Sequence, residues 1–390
     1  MIRSSRLVST GKHHGAKTPV SHLFSFLFSL LTAWHRRKKN ATENKPAAFA
    51  PIFVCRSKPV FSATISILLL TTGVFLHGCG PEAAQVEIQR FDRDLFALEA
   101  TNIADNMQAL AQTYPDFLPF FIAEIAHDQS NPEETPEEAL AGFVTAPQVR
   151  RLYDSCQAAF PNLAQLETDL DKMLRQYRKH FPQKPEPRFV AAVTEFVGDA
   201  YAVNDSLILI GLDMFLGENF SGYDPNYFPQ YLRKQFVPEY MPAKIALALA
   251  SRLAGPPPSE RVVDYMINNG KVLYLMDAFL PEVPERLKMG YSQEQLEGCY
   301  ANEQEVWARL LELKVLYEPL NNKNQKIVMP SPATEVLFQE APGEVGNWIG
   351  WQIVKAYMRR HPDTSLEELL SLRDTQRFLE QAKYKPKRVN

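Results

Sequence analysis

The sequence predicts a mainly helical α+β fold with a small sheet, and three observations lead there. Short apolar stretches of strand character cluster in the first half, near Ile88, Phe189 and Leu209. Longer amphipathic stretches of helical period follow Pro229. Glycine is sparse, at 17 residues, and proline plentiful, at 29, which suits helices parted by proline-containing loops. The chain shows no repeat of solenoid or propeller period and no low-complexity tract.

The elements follow in order. Residues 86–91 alternate and predict a first strand. Phe91 to Leu95 enters a helix with Asp92 or Asp94 near its N-terminus, where a carboxylate suits the helix dipole. Residues 102–113 predict a helix stopped at Tyr114-Pro115, because a residue before proline is pushed out of helical geometry. An aromatic-rich helix spans 117–125 around Pro119, and 132–136 reads as a loop. Residues 146–180 hold two helices parted near Pro161. Residues 189–193 and 206–211 predict strands, with Asn204-Asp205 turning between them. Residues 229–232 and 242–253 are helical, the latter ending at Gly255 before Pro256-Pro257-Pro258. A long helix over 259–279 is interrupted at Asn268-Asn269-Gly270. Ser292 to Gln295 has the form of a capping box. Helices over 302–316, 343–358 and 365–372 follow, before a basic tail at 383–388.

Three local readings accompany these elements. Trp348 and Trp351, with Ile349 and Ile353, read as core. Gly346 and Gly350 lie four apart and would admit another helix closely, by internal packing rather than dimerisation. Gly270 costs about 1 kcal/mol against alanine within a helix, so it relieves a close contact or marks a break.

The net charge of −3 hides a division. Of 42 Lys/Arg and 45 Asp/Glu, residues 1–78 hold eleven basic residues and one acid, Glu43. Residues 79–390 are left with 31 against 44, a net −13. A basic front on an acidic body reads as a targeting segment before a globular part. The acidic body excludes nucleic acid as a partner, because phosphate binding needs a basic footprint.

Arg56 and Lys58 precede an apolar run over 60–76, which ends in Leu76-His77-Gly78-Cys79. That ending resembles the bacterial lipobox. The resemblance implies cleavage before Cys79, thioether-linked lipid on its sulfur, and attachment to a membrane through that lipid. A plain transmembrane anchor is the alternative, at the lower edge of spanning length. Residues 1–78 are therefore set apart as signal or targeting segment, and 79–390 as the mature part, one domain. Residues 1–55 contain a second short apolar stretch closed by Arg36 to Lys39, and a mis-assigned start is one reading of them. No Asp follows Cys79 directly, which favours the outer membrane.

Motifs for chemistry are few. The mature part has three histidines, His127, His180 and His361, with no His-Glu-x-x-His pair. A Gly-x-Ser-x-Gly elbow and a phosphate-cradling glycine loop are both missing. Carboxylates such as Asp264, Asp277, Glu282, Glu303, Glu305 and Glu335 are too common to single out a catalytic pair. Asp264 or Asp277 could recruit a metal with His180 or His361, but no spacing favours it. Cys156 and Cys299 read as two buried thiols, a disulfide being the alternative.

Several stretches together resemble a known family. They are residues 268–281 (Asn-Asn-Gly-Lys-Val-Leu-Tyr-Leu-Met-Asp-Ala-Phe-Leu-Pro), Gly290-Tyr291 with 301–307, 346–354 (Gly-Asn-Trp-Ile-Gly-Trp-Gln-Ile-Val) and 383–387. With Arg90-Phe91-Asp92 and the lipobox, they resemble the gliding motility lipoprotein GldB family of the Bacteroidetes. The resemblance covers nearly all of 79–390. It implies an envelope lipoprotein whose partners are proteins of the motility or associated secretion machinery. It also implies a degenerate zincin-like scaffold, since the family is similar to predicted zinc proteases. There a His-Glu-x-x-His helix and a second, Glu-bearing helix supply the ligands. Here residues 241–253 lack both histidines, and Asn268-Asn269-Gly270 stands where the Glu-bearing stretch would be. Ile245, Leu247 and Leu249 would make the first helix a packing element. The expectation is a non-catalytic binding or organising component with no cofactor and no metal or catalytic residue, Cys79 being the lipid attachment site. The alternatives are a metallopeptidase-like hydrolase with an unrecognised site, or a housekeeping envelope lipoprotein.

Overall fold

A computed structural model describes residues 86–98 and 103–386. Cys79, the apolar run before it, and Lys387-Arg388 lie outside the described residues.

Two apolar strands, β2 (Arg188–Ala192) and β4 (Leu207–Gly211), run parallel at the centre of a four-stranded sheet. Their side chains are buried on both faces from Phe189 and Leu207 onward, which is why they read as unbroken apolar runs. β1 (Ile88–Gln89) pairs parallel with β2, and β3 (Ala200–Asn204) pairs antiparallel with β4, giving the order β1-β2-β4-β3. The strands expected near Ile88, Phe189 and Leu209 are therefore present, although the first shrinks to two residues. The expected pairing across Asn204-Asp205 is corrected. That turn closes a hairpin of β3 with β4, and β3 was missed.

Helices α1 (Phe91–Phe96), α2 (Ile103–Thr113) and α3 (Phe117–Phe121) precede β2, α3 running on through a π-turn over Ile122–Ala126. The loop expected at 132–136 leads into an unexpected helix, α4 (Pro136–Thr145). Thr135 caps it by accepting from the Glu138 amide at 3.2 Å, with Pro136 at the first helical position. Then come α5 (Pro147–Ala159) and α6 (Ala164–His180), parted around Pro161 as expected.

After the sheet come α7 (Gln230–Arg233), α8 (Met241–Ala254) and α9 (Val262–Phe279). The expected interruption of α9 at Asn268-Asn269-Gly270 does not occur. Gly270 instead lets α9 press against α13 (Val345–Arg360). A Cβ on Gly270 would lie 2.3 Å from the Gly350 carbonyl carbon, and one on Gly350 would lie 1.8 Å from the Met266 oxygen. Trp348 and Trp351 are fully buried at this contact. Between α9 and α13 in sequence stand α10 (Glu285–Met289), α11 (Gln293–Ala301) and α12 (Glu303–Glu312), with Ser292 forming the expected capping box. Helix α12 stops short of the expected 316, because Lys314 takes a left-handed conformation, φ 57°. Helices α14 (Leu366–Ser371) and α15 (Thr375–Ala382) close the described chain.

Buried apolar side chains from Ile88 to Ala382 form one contiguous cluster. Cys156 and Cys299 are free thiols within it. On α8, Ile245 and Leu249 pack inward as expected, but Leu247 does not and is 36% exposed. At 100° per residue, Leu247 faces away from the Ile245, Ala246 and Leu249 stripe.

Candidate functional site

The parallel strands β2 and β4 end together, and open parallel sheets present their ligand-facing loops at such ends. Beyond β2, Glu195 and Phe196 adopt consecutive left-handed conformations, φ 51° and 67°. Neither is glycine, so each costs about 1 kcal/mol. Asp213, just past β4, holds this loop in place. Its fully buried carboxylate accepts from the Thr194 amide at 2.8 Å, the Phe196 amide at 2.6 Å and the Thr194 hydroxyl at 3.2 Å. Burial pushes Asp213 up to about 6 despite these donors. From the other side the Phe196 ring meets Tyr223 edge-on at 5.4 Å and Phe228 at 6.0 Å. The Tyr223 hydroxyl donates to the Asp213 carbonyl at 2.8 Å, tying this aromatic group to the same post.

Lys244, in the first turns of α8, pairs with this loop and lies within electrostatic range of a third strained residue. Its ammonium pairs with Asp199, at the far end of the loop, at 3.0 Å. It also acts electrostatically on Glu344, which directly precedes α13 and has φ 60°. Glu344 is half-buried, and burial pushes its carboxyl up to about 7, opposed by Lys244. Its amide donates to the Lys326 carbonyl at 3.0 Å. Gly343 beside it cannot carry a side chain, since a Cβ would lie 1.8 Å from the Ser331 oxygen. The amides of Asn347 and Asn269 complete the group. Asn269 Nδ2 donates to Asn347 Oδ1 at 2.9 Å, and Asn347 Nδ2 donates to the Val328 carbonyl at 3.1 Å.

The residues named from sequence fall elsewhere. Asp264 is held by Arg261 at 2.7 Å and by Ser259. Asp277 pairs with Lys288 at 2.8 Å and accepts from the Trp351 indole at 2.9 Å. His127 lies 3.0 Å from Glu134, and His361 stacks near Tyr357 at 4.4 Å. Glu303 accepts from Tyr384, and Glu335 pairs with Lys326. Among the described residues, no three His, Cys, Asp or Glu side chains gather where they could hold a metal ion. A shallow depression beside Tyr114, Asp116 and Arg188 encloses no room for a small molecule.

The model of the family described as gliding motility protein GldB matches residues 81–386. The chain belongs to that family. No curated protein and no solved structure matches it. Membership makes the chain a gliding-motility lipoprotein by family and gives it a cell-envelope location. No described helix is long and apolar enough to cross a membrane. The family stretches quoted from the sequence contain Asn269 and Asn347 but gave them no role. Glu195, Phe196, Asp213, Lys244 and Glu344 were not found from sequence. The tight glycines at 343 and 346 around Glu344 were the one signal available.

Proposed function

We propose that this family member is a non-catalytic lipoprotein, acylated at Cys79 and held at the outer membrane, that docks protein partners of the gliding or secretion machinery at its strand-end face. The observation that supports this most is the strained Glu195-Phe196 loop, pinned by buried Asp213 and by the Lys244–Asp199 ion pair, with strained Glu344 within electrostatic range of the same lysine. Strain at non-glycine residues persists only where the surroundings over-determine it, and it gathers at recognition and catalytic sites. Recognition is favoured over catalysis by residue chemistry. Helix α8 carries no His, Asp, Glu or Cys, so it offers no metal ligand of the zincin kind. The degenerate zincin-like resemblance is read in the same sense, as a scaffold whose groove serves for docking.

Gliding in a host deleted for its own copy tests the reading. The unaltered chain should restore spreading. A double variant, Glu195→Lys with Glu344→Lys, should reach the same acylated level and restore none. Equal rescue by both would overturn the docking assignment.

A further inference from the structure

We infer that the end of the sheet where the parallel strands begin is the face this chain lays against the anionic phosphate headgroups of its membrane, through the free ammonium groups of Lys184 and Lys179. This rests on the proposed acylation at Cys79 and turns the strand-end face away from the membrane, toward partners.

The strands fix the geometry. β1 and β4 both run parallel to β2, so all three begin at one end of the sheet. The chain enters β1 there from the Cys79 side, through exposed Glu87. Seven residues, Cys79 to Gln85, precede Val86. Fully extended, at about 3.4 Å each, they reach at most about 24 Å. β1 pairs with β2 at Ile88 and Phe189, so the tether enters about 5 Å, one strand spacing, from the chain leading into β2. That chain is the loop 181–187. The five residues of β2 carry the Glu195-Phe196 loop about 17 Å further along the strand direction, away from the tether.

The loop is firmly held and projects. The Lys184 amide donates to the Phe181 carbonyl at 3.1 Å, and the Tyr177 hydroxyl donates to the Pro185 carbonyl at 3.0 Å. Phe181 and Pro187 are buried at its two ends, and residues 182–186 between them are exposed. The acids around it are already matched. Glu186 pairs with Arg178 at 3.0 Å, Asp116 with Arg188 at 3.0 Å and Asp205 with Arg252 at 2.6 Å. Lys179 and Lys184 are exposed and enter no ion pair among the described residues. Glu87 offsets one of these charges, and half-buried His180, whose pKa burial lowers, adds none at neutral pH. The mature part as a whole holds 31 basic against 44 acidic residues. An anionic surface therefore repels the body and attracts this end, which the tether already keeps close.

Amine acetylation of the full acylated chain, read residue by residue by mass spectrometry, tests the face. The chain is bound to preformed vesicles of phosphatidylcholine alone, or of phosphatidylcholine and phosphatidylglycerol in equal parts. Labelling of Lys184 and Lys179 should be at least about threefold lower on the anionic vesicles. Lys234, exposed two residues before Phe236 of the strand-end aromatic group, should label equally on both. Equal labelling of Lys184 and Lys179 on the two vesicles, or shielding of Lys234 to the same degree, would overturn the inference. Palmitate uptake by the same preparation keeps the two readings apart. An acylated chain whose lysines stay unshielded discards this face and keeps the anchor. A chain that takes up no palmitate discards the anchor, and this face with it.

Discussion

Glu344 joins two costs at one position, a left-handed backbone and a partly desolvated carboxyl, and both have measurable consequences. Its pKa rises from 4.5 to about 7, and that of Asp213 rises from 3.8 to about 6. Between those values the folded state holds a proton that the unfolded state has released. The stability these groups contribute is therefore full below about pH 4 and lost as pH rises toward 7. Denaturant unfolding from pH 4 to 7 should show stability falling with pH, by up to about 1.4 kcal/mol per unit for each group. E344Q should flatten the upper part of that slope, and an unchanged slope would contradict the burial of Glu344. Lys271 behaves oppositely. It is 4% exposed, donates to the Leu372 carbonyl at 2.5 Å and lies 5.1 Å from the Phe378 ring centre. Burial, with a smaller push from Arg373, lowers it from 10.5 to about 8. The unfolded chain binds the extra proton, so stability should rise from pH 8 toward 10, and K271M should lose that rise. None of this was legible in sequence. Neither a positive φ at a glutamate nor the burial of one carboxyl among many leaves a pattern in the residue order.

Helices α9 and α13 show how much an element can reveal. The spacing of Gly346 and Gly350 predicted a close internal helix contact, the Trp348-Trp351 pair predicted core, and Gly270 predicted a close contact or a break; the helices meet at Gly270 and Gly350. The continuity of α9 was not readable, because Asn-Asn-Gly is a turn signal locally and a packing surface only once α13 is in place. Gly350→Ala should cost about 3 kcal/mol or more, since its Cβ would meet Met266 backbone that cannot move aside. Gly142→Ala, in α4 with open space around it, should instead stabilise by about 0.5–1 kcal/mol. Thermal unfolding of the two variants checks both signs. Helix α4 was missed although Thr135-Pro136-Glu137-Glu138 carries its capping box, because the prolines at 132 and 136 read as loop. Strand β3 was missed because an edge strand of Ala-Tyr-Ala-Val-Asn, mostly half-buried, lacks the apolar run of β2 and β4.

At the scale of the molecule, the basic front and the acidic body were readable because charge is a property of the residue order, and the lipobox-like ending at Cys79 is part of the proposal. The family match over 81–386 begins just after Cys79. Cys79→Ala should leave an uncleaved precursor that takes up no labelled palmitate. A variant cut and labelled like the parent would remove the lipid anchor from the account. The mainly helical α+β architecture was legible from period and composition. The candidate site was not, since it draws Glu195, Lys244, Asn269 and Glu344 from distant stretches that only the fold assembles. We propose that these residues recognise a partner and perform no hydrolysis. Zinc-catalysed hydrolysis requires a held ion that brings bound water to a pKa of about 7. Elemental analysis of the purified acylated chain, after zinc loading and dialysis, addresses that claim most directly. No stoichiometric zinc is expected. About one zinc per chain, lost on substitution of Asp264 or Asp277 and accompanied by peptide cleavage, would contradict it.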